Sequence, residues 1–539
     1  MHNRRTFIQA AFTVTGAALP AASRGSQTPA RPLSGKGRRR RIIWNDDGDD
    51  LRCMAFGRER LWTAEDPAAI KLPLRYSSPE EFMKLRMTAL AGTQVDSLFY
   101  CGHFNWSVWE FPTERIAALG PDPLKLVVDF AHKNGMEFFF SIRMNDTHSS
   151  LIDRQGPMYW EPFRAANPQF LQANVTKQEF QERYGPWITG KASEHPLADV
   201  LKRRGRASRD YQSWSAYDYA HPEVRAYFAD VVSQACRRYD LEGIELDWQR
   251  HPFFFRFGQE RRYIPVMNDF VRQVRKTIDQ HGKRRGRPIL LAVRVPDSPE
   301  SALAIGLDPE TWMADGCVDL LVAGNGFAPF SCPFSEWVKL GRQYDVPVYG
   351  CLDRIQKILG RPEAVRAAAH RAWEDGVDGI YFFNHFIPAE YETLREVGDP
   401  KRLVRANKLY RIDPNFPNQN FTITPGQLPL QFSFTAGLAA ARLKLDIADR
   451  PETAARTALL TQWSPKSEAF RISWKVNGQS PGEPDKVAHE SGGASWLAYP
   501  TKALAKGLNH FQVIIEPPER ATALPALALE QVRVSIDYA

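Results

Sequence analysis

Long apolar runs, paired cysteines and a nucleotide-binding glycine motif are all missing from this sequence. Beyond about residue 25, no apolar stretch reaches the roughly 20 residues that a membrane helix needs, so no membrane partner is predicted. The six cysteines form no C-x-x-C pair and show no metal-ligand spacing, which favours buried thiols. No G-x-G-x-x-G follows the first predicted strand, which argues against a dinucleotide-binding fold.

Acidic residues are outnumbered by basic ones, 62 to 70, and the formal net charge is +8. Part of this excess lies in two short runs, 38–41 and 202–206. We interpret the first run as a solvated linker, and the alternative is attraction to an anionic polymer. No nucleic-acid-binding motif accompanies the charge, so no nucleic-acid partner is predicted.

The first residues are typical of an export signal. Arg4 and Arg5 precede Phe7 and an apolar stretch over 10–19, which small residues follow. This order indicates a twin-arginine-type signal over residues 1–25 and an exported protein, periplasmic or extracellular. Residues 26–40 are rich in Pro, Gly and Arg and are predicted to be a linker.

A repeated alternation of short apolar runs and amphipathic stretches follows the linker. The apolar runs begin at Arg41, Asp96, Glu137, Gly243, Leu290, Asp319, Val346 and Gly379. Such alternation predicts parallel strands joined by crossover helices, and eight units predict a (β/α)8 TIM barrel over residues 41–415. A doubly wound open sheet is the alternative. The connection from Thr147 to Ala220 is long enough to be a functional insertion on the C-terminal face.

The pattern changes near Thr424 to period-two alternation separated by turns such as Asn477-Gly478. This pattern predicts an antiparallel β-sandwich over residues 424–539. The sandwich is either a packing module or a carbohydrate-binding module that uses exposed aromatic residues such as Trp496.

The fourth predicted strand carries two acids with a spacing of two. Because side chains alternate along a strand, Glu245, Asp247 and Gln249 face the barrel axis, while Trp248 lies on the opposite face. Charged groups there need partners or water, so we predict that Asp247 acts in catalysis or substrate binding. Glu245 lies one layer deeper. It is predicted either to act directly or to pair with an arginine and orient Asp247.

This region resembles a known barrel family, the glycosyl-hydrolase-like ten family. The residues that carry the resemblance are His221-Pro222-Glu223-Val224-Arg225, Gly243-Ile244, Asp247-Trp248 and Arg250-His251-Pro252. The strand is also distantly similar to that of the family-eighteen chitinases, but Gln249 stands where those enzymes have an acid. Glutamine cannot donate a catalytic proton, which argues against a chitinase mechanism. The first resemblance covers roughly residues 40 to 400 and implies a glycoside-hydrolase-like barrel.

Glycoside hydrolysis usually needs two carboxyl groups that flank the scissile bond. Asp247 is the first candidate, and Asp353, Asp297 and Asp146 are the candidates for the second. The predicted substrate-binding residues lie at or near strand ends: Asn45, Asp46, Asp47, His103, Arg143, Asp146, Trp248, Arg294, Asn325 and His385. Asn384 also falls at a strand end. The acids after strand one are interpreted as a cation site, a sugar-hydroxyl site or a polar turn.

The sequence therefore predicts an exported glycoside hydrolase that acts on an extracellular poly- or oligosaccharide. The strand-end arginines and the net charge favour an anionic saccharide. No cofactor or metal is predicted for the reaction. The alternative is a non-catalytic carbohydrate-binding protein with a degenerate barrel, which Gln249 favours.

Overall fold

The structure is a computed structural model. The residues that it describes are 35–48, 51, 76–103, 117–147, 162–188, 192, 194, 196–204, 213–324, 328–353, 361–384, 388–415, 425–434, 437–464, 470–487, 496–517 and 526–538.

Eight parallel strands close into a barrel in which each strand pairs with the next and the last pairs with the first. They are β1 Ile42–Asp46, β2 Val95–His103, β3 Glu137–Arg143, β4 Gly243–Asp247, β5 Leu290–Val295, β6 Leu320–Ala323, β7 Val348–Asp353 and β8 Gly379–Phe383. The predicted TIM barrel is confirmed, and the open sheet is excluded because β8 and β1 are hydrogen-bonded.

Helices occupy the connections. They are α1 Pro79–Arg86, α2 Pro123–Lys133, α3 Pro162–Ala166, α4 Lys177–Ile188, α5 Ala198–Arg204, α6 Pro222–Arg238, α7 Ile264–Arg285, α8 Pro299–Ala304, α9 Pro309–Ala314, α10 Phe334–Gln343, α11 Pro362–Glu374 and α12 Pro400–Leu403. Local chemistry sets their ends: the Ser78 side chain accepts a hydrogen bond from the Glu81 N–H at the start of α1. No described helix is long and apolar enough to span a bilayer.

Alternation along the strands divides the barrel into two apolar layers. The inner cluster consists of side chains that point towards the axis: Ile43, Phe99, Phe139, Leu290, Ala292, Leu320, Val322, Tyr349, Cys351, Tyr381 and Phe383. The outer cluster lies between strands and helices and includes Ile244, Leu246 and Trp248. The predicted facing of strand four is therefore confirmed.

The arginines before β1 are fixed at the N-terminal face of the barrel. Arg40 is fully buried and forms a two-point ion pair with Glu137, at 2.6 and 2.8 Å. Arg41 pairs with Asp96 at 2.7 Å. The interpretation of these two residues as a solvated linker is wrong, because the acids that pair with them come from distant strand starts.

The long insertion after β3 contains α3, α4 and α5. Its described aromatic residues form a local core: Tyr184 stacks on Trp214 at 4.2 Å, and Tyr217 and Tyr219 are fully buried. Trp160 and Tyr211 lie outside the described residues.

Two antiparallel sheets follow the barrel, as predicted. Their strands are β9 Lys408–Arg411, β10 Leu430–Phe432, β11 Ala439–Ile447, β12 Arg456–Ser464, β13 Arg471–Val476, β14 Asp485–Val487, β15 Trp496–Pro500, β16 Gly507–Glu516 and β17 Leu527–Asp537. One sheet has the order β10-β17-β12-β15-β14, with β9 also on β17, and the other has the order β11-β16-β13. β9 lies within the segment predicted as barrel, yet it pairs with the last strand of the sandwich.

Trp496 is not an exposed aromatic platform. It is only 5% exposed, and the Arg533 guanidinium lies 4.3 Å from the centre of its ring. The prediction that Trp496 binds sugar is therefore wrong, because the ring packs within the sheet.

A buried charged cluster joins barrel and sandwich. Lys408 and Asp449 have fully buried side chains that pair at 2.8 Å. The hydroxyl of Tyr538 also donates to Asp449 at 2.8 Å, and His370 of α11 lies 3.4 Å from the same carboxylate. Since a buried charge is costly without its partner, this cluster fixes the sandwich against α11.

Replacing Asp449 by Asn should leave the Lys408 ammonium buried without its counter-ion. We expect the variant to lose about 3–5 kcal/mol of unfolding free energy, measured by urea denaturation. The matched control is Glu483→Gln, because Glu483 is exposed in the same region. Equal stability of Asp449→Asn and wild type would show that the cluster does not hold the junction.

Candidate functional site

The C-terminal mouth of the barrel carries charged residues on three adjacent strands. Arg143 of β3 is in register with Asp247 of β4, and Asp247 is in register with Arg294 of β5. All three side chains point inward, and each residue is only 1% exposed. Strand pairing therefore places one carboxylate between two arginines.

Asp247 is held by a bidentate ion pair. The Nε and Nη2 atoms of Arg294 donate to its two oxygens at 2.9 and 2.8 Å. The backbone N–H of Gln249 also donates to Asp247 at 2.9 Å. The Arg294 guanidinium lies 3.8 Å from the centre of the Phe383 ring. Asp247 is thus fixed at the mouth with both oxygens engaged.

Glu245 lies one layer below Asp247 and is fully buried. It accepts a hydrogen bond from the Tyr381 hydroxyl at 2.7 Å, and the Asn45 amide lies 3.5 Å away. Burial and the neighbouring Asp247 charge raise the pKa of Glu245 to about 7. The ion pairs described for Arg294 and Arg143 are with Asp247 and Asp146, and Arg294 acts on Glu245 through its charge, which lowers the Glu245 pKa against the effect of burial.

Three further acids near the strand ends lie beside arginines. Arg143 donates to Asp146 at 2.9 Å and lies 3.9 Å from Asp47. Asp46 accepts a 2.6 Å hydrogen bond from Arg86 of α1. Among the described residues no group of three possible ligands could hold a metal ion, and Asp49 and Asp50 of the same acidic segment lie outside these residues.

The candidates for the second carboxylate differ in what the structure describes. Asp297 follows β5 and is 2% exposed, and Asp146 is fully buried. Asp353 is the last residue of β7, and its side chain lies outside the described part. Burial is the main cause of the raised pKa of the Cys101 thiol, and the charges of Asp47, Asp146 and Asp247 all contribute to raising it.

Several cysteines lie in this region as thiols. Cys101, Cys332 and Cys351 are buried and form no disulfide with any described residue, as the sequence analysis expected of most cysteines. Burial raises the pKa of the Cys101 and Cys332 thiols well above the ordinary value. These thiols therefore serve as small core residues of the barrel.

Trp248 does not belong to the mouth. It is fully buried on the outer face of β4, against the rings of Tyr219, Phe254, Phe270 and Trp312. Its predicted substrate-binding role is wrong, since alternation turns it towards the helices. The side chain of His103, the last residue of β2, and all of Asn325 and His385 lie outside the described residues.

Three amide side chains at the mouth have polar atoms without a hydrogen-bond partner among the described residues. They are the Oδ1 of Asn45, the Oδ1 of Asn384 and both side-chain polar atoms of Gln249. These residues are 0%, 8% and 7% exposed. Asn384 also has a left-handed backbone with φ of 55°. Buried amides of this kind need water or a polar ligand.

The sequence analysis missed three residues that shape the site. Tyr381 and Phe383 of β8 point inward at alternate positions, and Arg86 reaches Asp46 from α1. The period-two rule applied to β4 would have found the first two if it had been applied to β8. Nothing in the sequence pairs Arg86 with Asp46, because 40 positions separate them.

No protein-family model and no curated relative matches the chain. Weak likenesses exist among solved structures. One is a cycloisomaltooligosaccharide glucanotransferase from Paenibacillus sp., with 10% identity and a TM-score of 0.32 over 91% of this chain and 57% of that one. The chain thus spans little more than half of that structure.

Two further structures are similar at the same level. The PgaB (BpsB) glycoside hydrolase domain from Bordetella bronchiseptica has 10% identity and a TM-score of 0.40, over 67% of this chain and 99% of that one. The α-L-fucosidase isoenzyme 2 from Paenibacillus thiaminolyticus has 13% identity and a TM-score of 0.38, over 68% and 49%. The barrel assignment rests on the strand order of this chain itself.

The raised pKa of Glu245 predicts a pH dependence of stability. The pKa is about 7 in the fold against 4.5 ordinarily, so the contribution of this group is fully present below about pH 4.5 and is lost as the pH rises through 7. Glu245→Gln keeps an acceptor for Tyr381 and removes the titration. As the pH rises from 4.5 to 8, the free energy of unfolding of the variant should increase by on the order of 3 kcal/mol relative to that of wild type.

The measurement is the free energy of unfolding of both proteins across this pH range. Glu223→Gln, at an exposed position of α6, is the control and should follow wild type at every pH. Parallel curves for wild type and Glu245→Gln would refute the buried titration.

Proposed function

We propose that this protein is a glycoside hydrolase whose substrate binds at the C-terminal mouth of the barrel, around Asp247. The observation that carries the proposal is the set of polar groups at that mouth. Asn45, Gln249 and Asn384 carry buried amide atoms with no hydrogen-bond partner among the described residues, and each lies at or near the C-terminal end of a strand of the barrel, as Asp247 does. In barrels of this class, active sites lie at the C-terminal ends of the strands.

A saccharide fits the chemistry of these amides. Each sugar hydroxyl donates and accepts hydrogen bonds, and the unpaired atoms include three acceptors and one donor group. The resemblance of the β4 region to the glycosyl-hydrolase-like ten family supports the same assignment. By contrast, Arg143 and Arg294 already bind carboxylates, so they no longer favour an anionic saccharide over a neutral one.

Asp247 has the leading role in this proposal. Its negative charge stabilises the positive charge that develops on the sugar carbon in an oxocarbenium-like transition state. Arg294 positions the carboxylate, and Glu245 acts through Asp247 from the layer below. Asp297 and Asp353 are the candidates for the second carboxylate.

The proposal includes export of the protein. The paired arginines and apolar stretch at the N-terminus support secretion through a twin-arginine route, to the periplasm or the outside of the cell. The substrate is then an extracellular poly- or oligosaccharide.

A second function, carbohydrate binding without hydrolysis, rests on a specific observation. Asp247 is 1% exposed, and both of its oxygens accept hydrogen bonds from Arg294. One of these hydrogen bonds must break before the carboxylate can act on a substrate. Gln249 in place of an acid favours the same alternative. Cleavage assays over a panel of glycans, with mass analysis of the products, separate the two functions.

Asp247→Asn should abolish hydrolysis and keep saccharide binding. We expect kcat to fall by about 10²–10⁴-fold, because the amide cannot supply the negative charge. The control is Asp230→Asn, at an exposed position of α6. Because Asn leaves the Arg294 charge without its partner, thermal unfolding and the double variant Asp247→Asn, Arg294→Gln are measured alongside. Unchanged kcat in a folded Asp247→Asn protein would refute the catalytic role.

Gln249→Ala should weaken saccharide binding about three- to tenfold, because one or two hydrogen bonds to the sugar are lost. The measurement is isothermal titration with the best substrate of the glycan panel and catalytically silent Asp247→Asn as background. Gln343→Ala, at an exposed position on the other face of the barrel, is the matched control. Equal affinity for Gln249→Ala and this control would place the sugar elsewhere.

A further inference from the structure

A second cleft lies on the N-terminal face of the barrel, opposite the mouth. Its volume is about 480 Å³. The lining comes from residues 36–40 before β1, from Gly341 and Arg342 at the end of α10, from residues 345–347 before β7, and from Asp378 before β8. The fold therefore separates this cleft from the Asp247 site by the length of the barrel.

Basic side chains dominate the lining. They are Lys36, Arg38, Arg39, Arg40 and Arg342, against the carboxylates of Asp345 and Asp378. Two of the five cations are engaged: Arg40 pairs with Glu137, and Lys36 lies 3.4 Å from Asp345. The excess of positive charge therefore rests on the other three arginines.

These three arginines form no ion pair with any carboxylate of the described residues. Arg38 is held in place because its Nη2 donates to the Gly135 carbonyl at 3.1 Å. Its Nη1 is buried and has no hydrogen-bond partner among the described residues. Arg39 and Arg342 are exposed. The Arg38 guanidinium is therefore held by one nitrogen, and its other terminal nitrogen can donate to a further acceptor.

We propose that this cleft binds a tetrahedral oxyanion, phosphate or sulfate, either as the free ion or as a group carried by a polymer. Arginine forks match the oxygens of such anions and remain charged at any physiological pH. Three arginines without counter-ions attract a doubly charged anion more strongly than a single carboxylate. The site is independent of the hydrolase proposal, since it shares no residue with the mouth.

The first test is calorimetric titration of the full chain with inorganic phosphate and with sulfate, at constant ionic strength and with chloride as the reference anion. We expect saturable binding of one anion. Arg39→Gln combined with Arg342→Gln should weaken it at least tenfold. The matched control, Arg261→Gln combined with Arg405→Gln, removes two exposed arginines outside the cleft and should bind as wild type does.

A second variant, Asp345→Asn, should change the affinity for phosphate in the opposite direction. The backbone of Asp345 has φ of 54°, a conformation that Asn tolerates, so the fold should be kept. The substitution removes a carboxylate that competes for Lys36, and the affinity for phosphate should rise severalfold. A merely structural arginine cluster would not respond in this way.

Polyphosphate distinguishes the two sources of the anion. Tighter binding of polyphosphate than of orthophosphate, lost with Arg39 and Arg342, indicates a polymer-borne group, and equal affinity indicates the free ion. Asp247→Asn should bind phosphate as wild type does, so failure of the hydrolase proposal leaves this result unaffected. Absence of saturable binding in wild type, or equal binding by the Arg39, Arg342 variant, would overturn the proposal.

Discussion

The ion pair between Asp247 and Arg294 is the contact on which the mouth of this barrel depends. Both side chains point into a closed ring of strands, where water is scarce and a single charge is costly. Strand register supplies the partner, because β4 and β5 place the two residues opposite each other. The same register places Arg143 on the other side of Asp247. Arg143 turns to Asp146, so the charges form adjacent pairs.

The two ends of the barrel differ in how completely their buried polar groups are paired. At the N-terminal end, Arg40 and Glu137 satisfy each other completely, and Ser97 donates to the same carboxylate at 2.5 Å. At the C-terminal end, Asp247 and Arg294 are paired, but the Gln249 amide and the Oδ1 of Asn384 find no partner within the described part of the chain. Complete pairing is typical of a structural layer, and incomplete pairing is typical of a surface that receives a ligand. The Arg40–Glu137 pair is therefore structural, while atoms without a partner among the described residues occur at the mouth and, at Arg38 Nη1, beside the N-terminal cleft.

The sandwich is tied to the barrel by a third set of buried charges. Lys408 and Asp449 are separated along the chain but meet beside α11, and β9 joins the sheet that contains β17. A segment that leaves the barrel thus becomes a strand of the next domain. The sandwich offers no exposed Trp496 for sugar binding, which favours its role as a packing module.

The sequence alone determined the barrel, the sandwich and the inward face of β4, because periodicity and capping are local properties of the chain. It also located Asp247 at a strand end. It did not determine which arginine binds which acid, since Arg294 lies 47 positions from Asp247 and Arg86 lies 40 positions from Asp46. Nor did it show that Arg40 is buried or that Trp496 is packed. Such contacts arise only when distant segments close around a common core, so tertiary structure decided them.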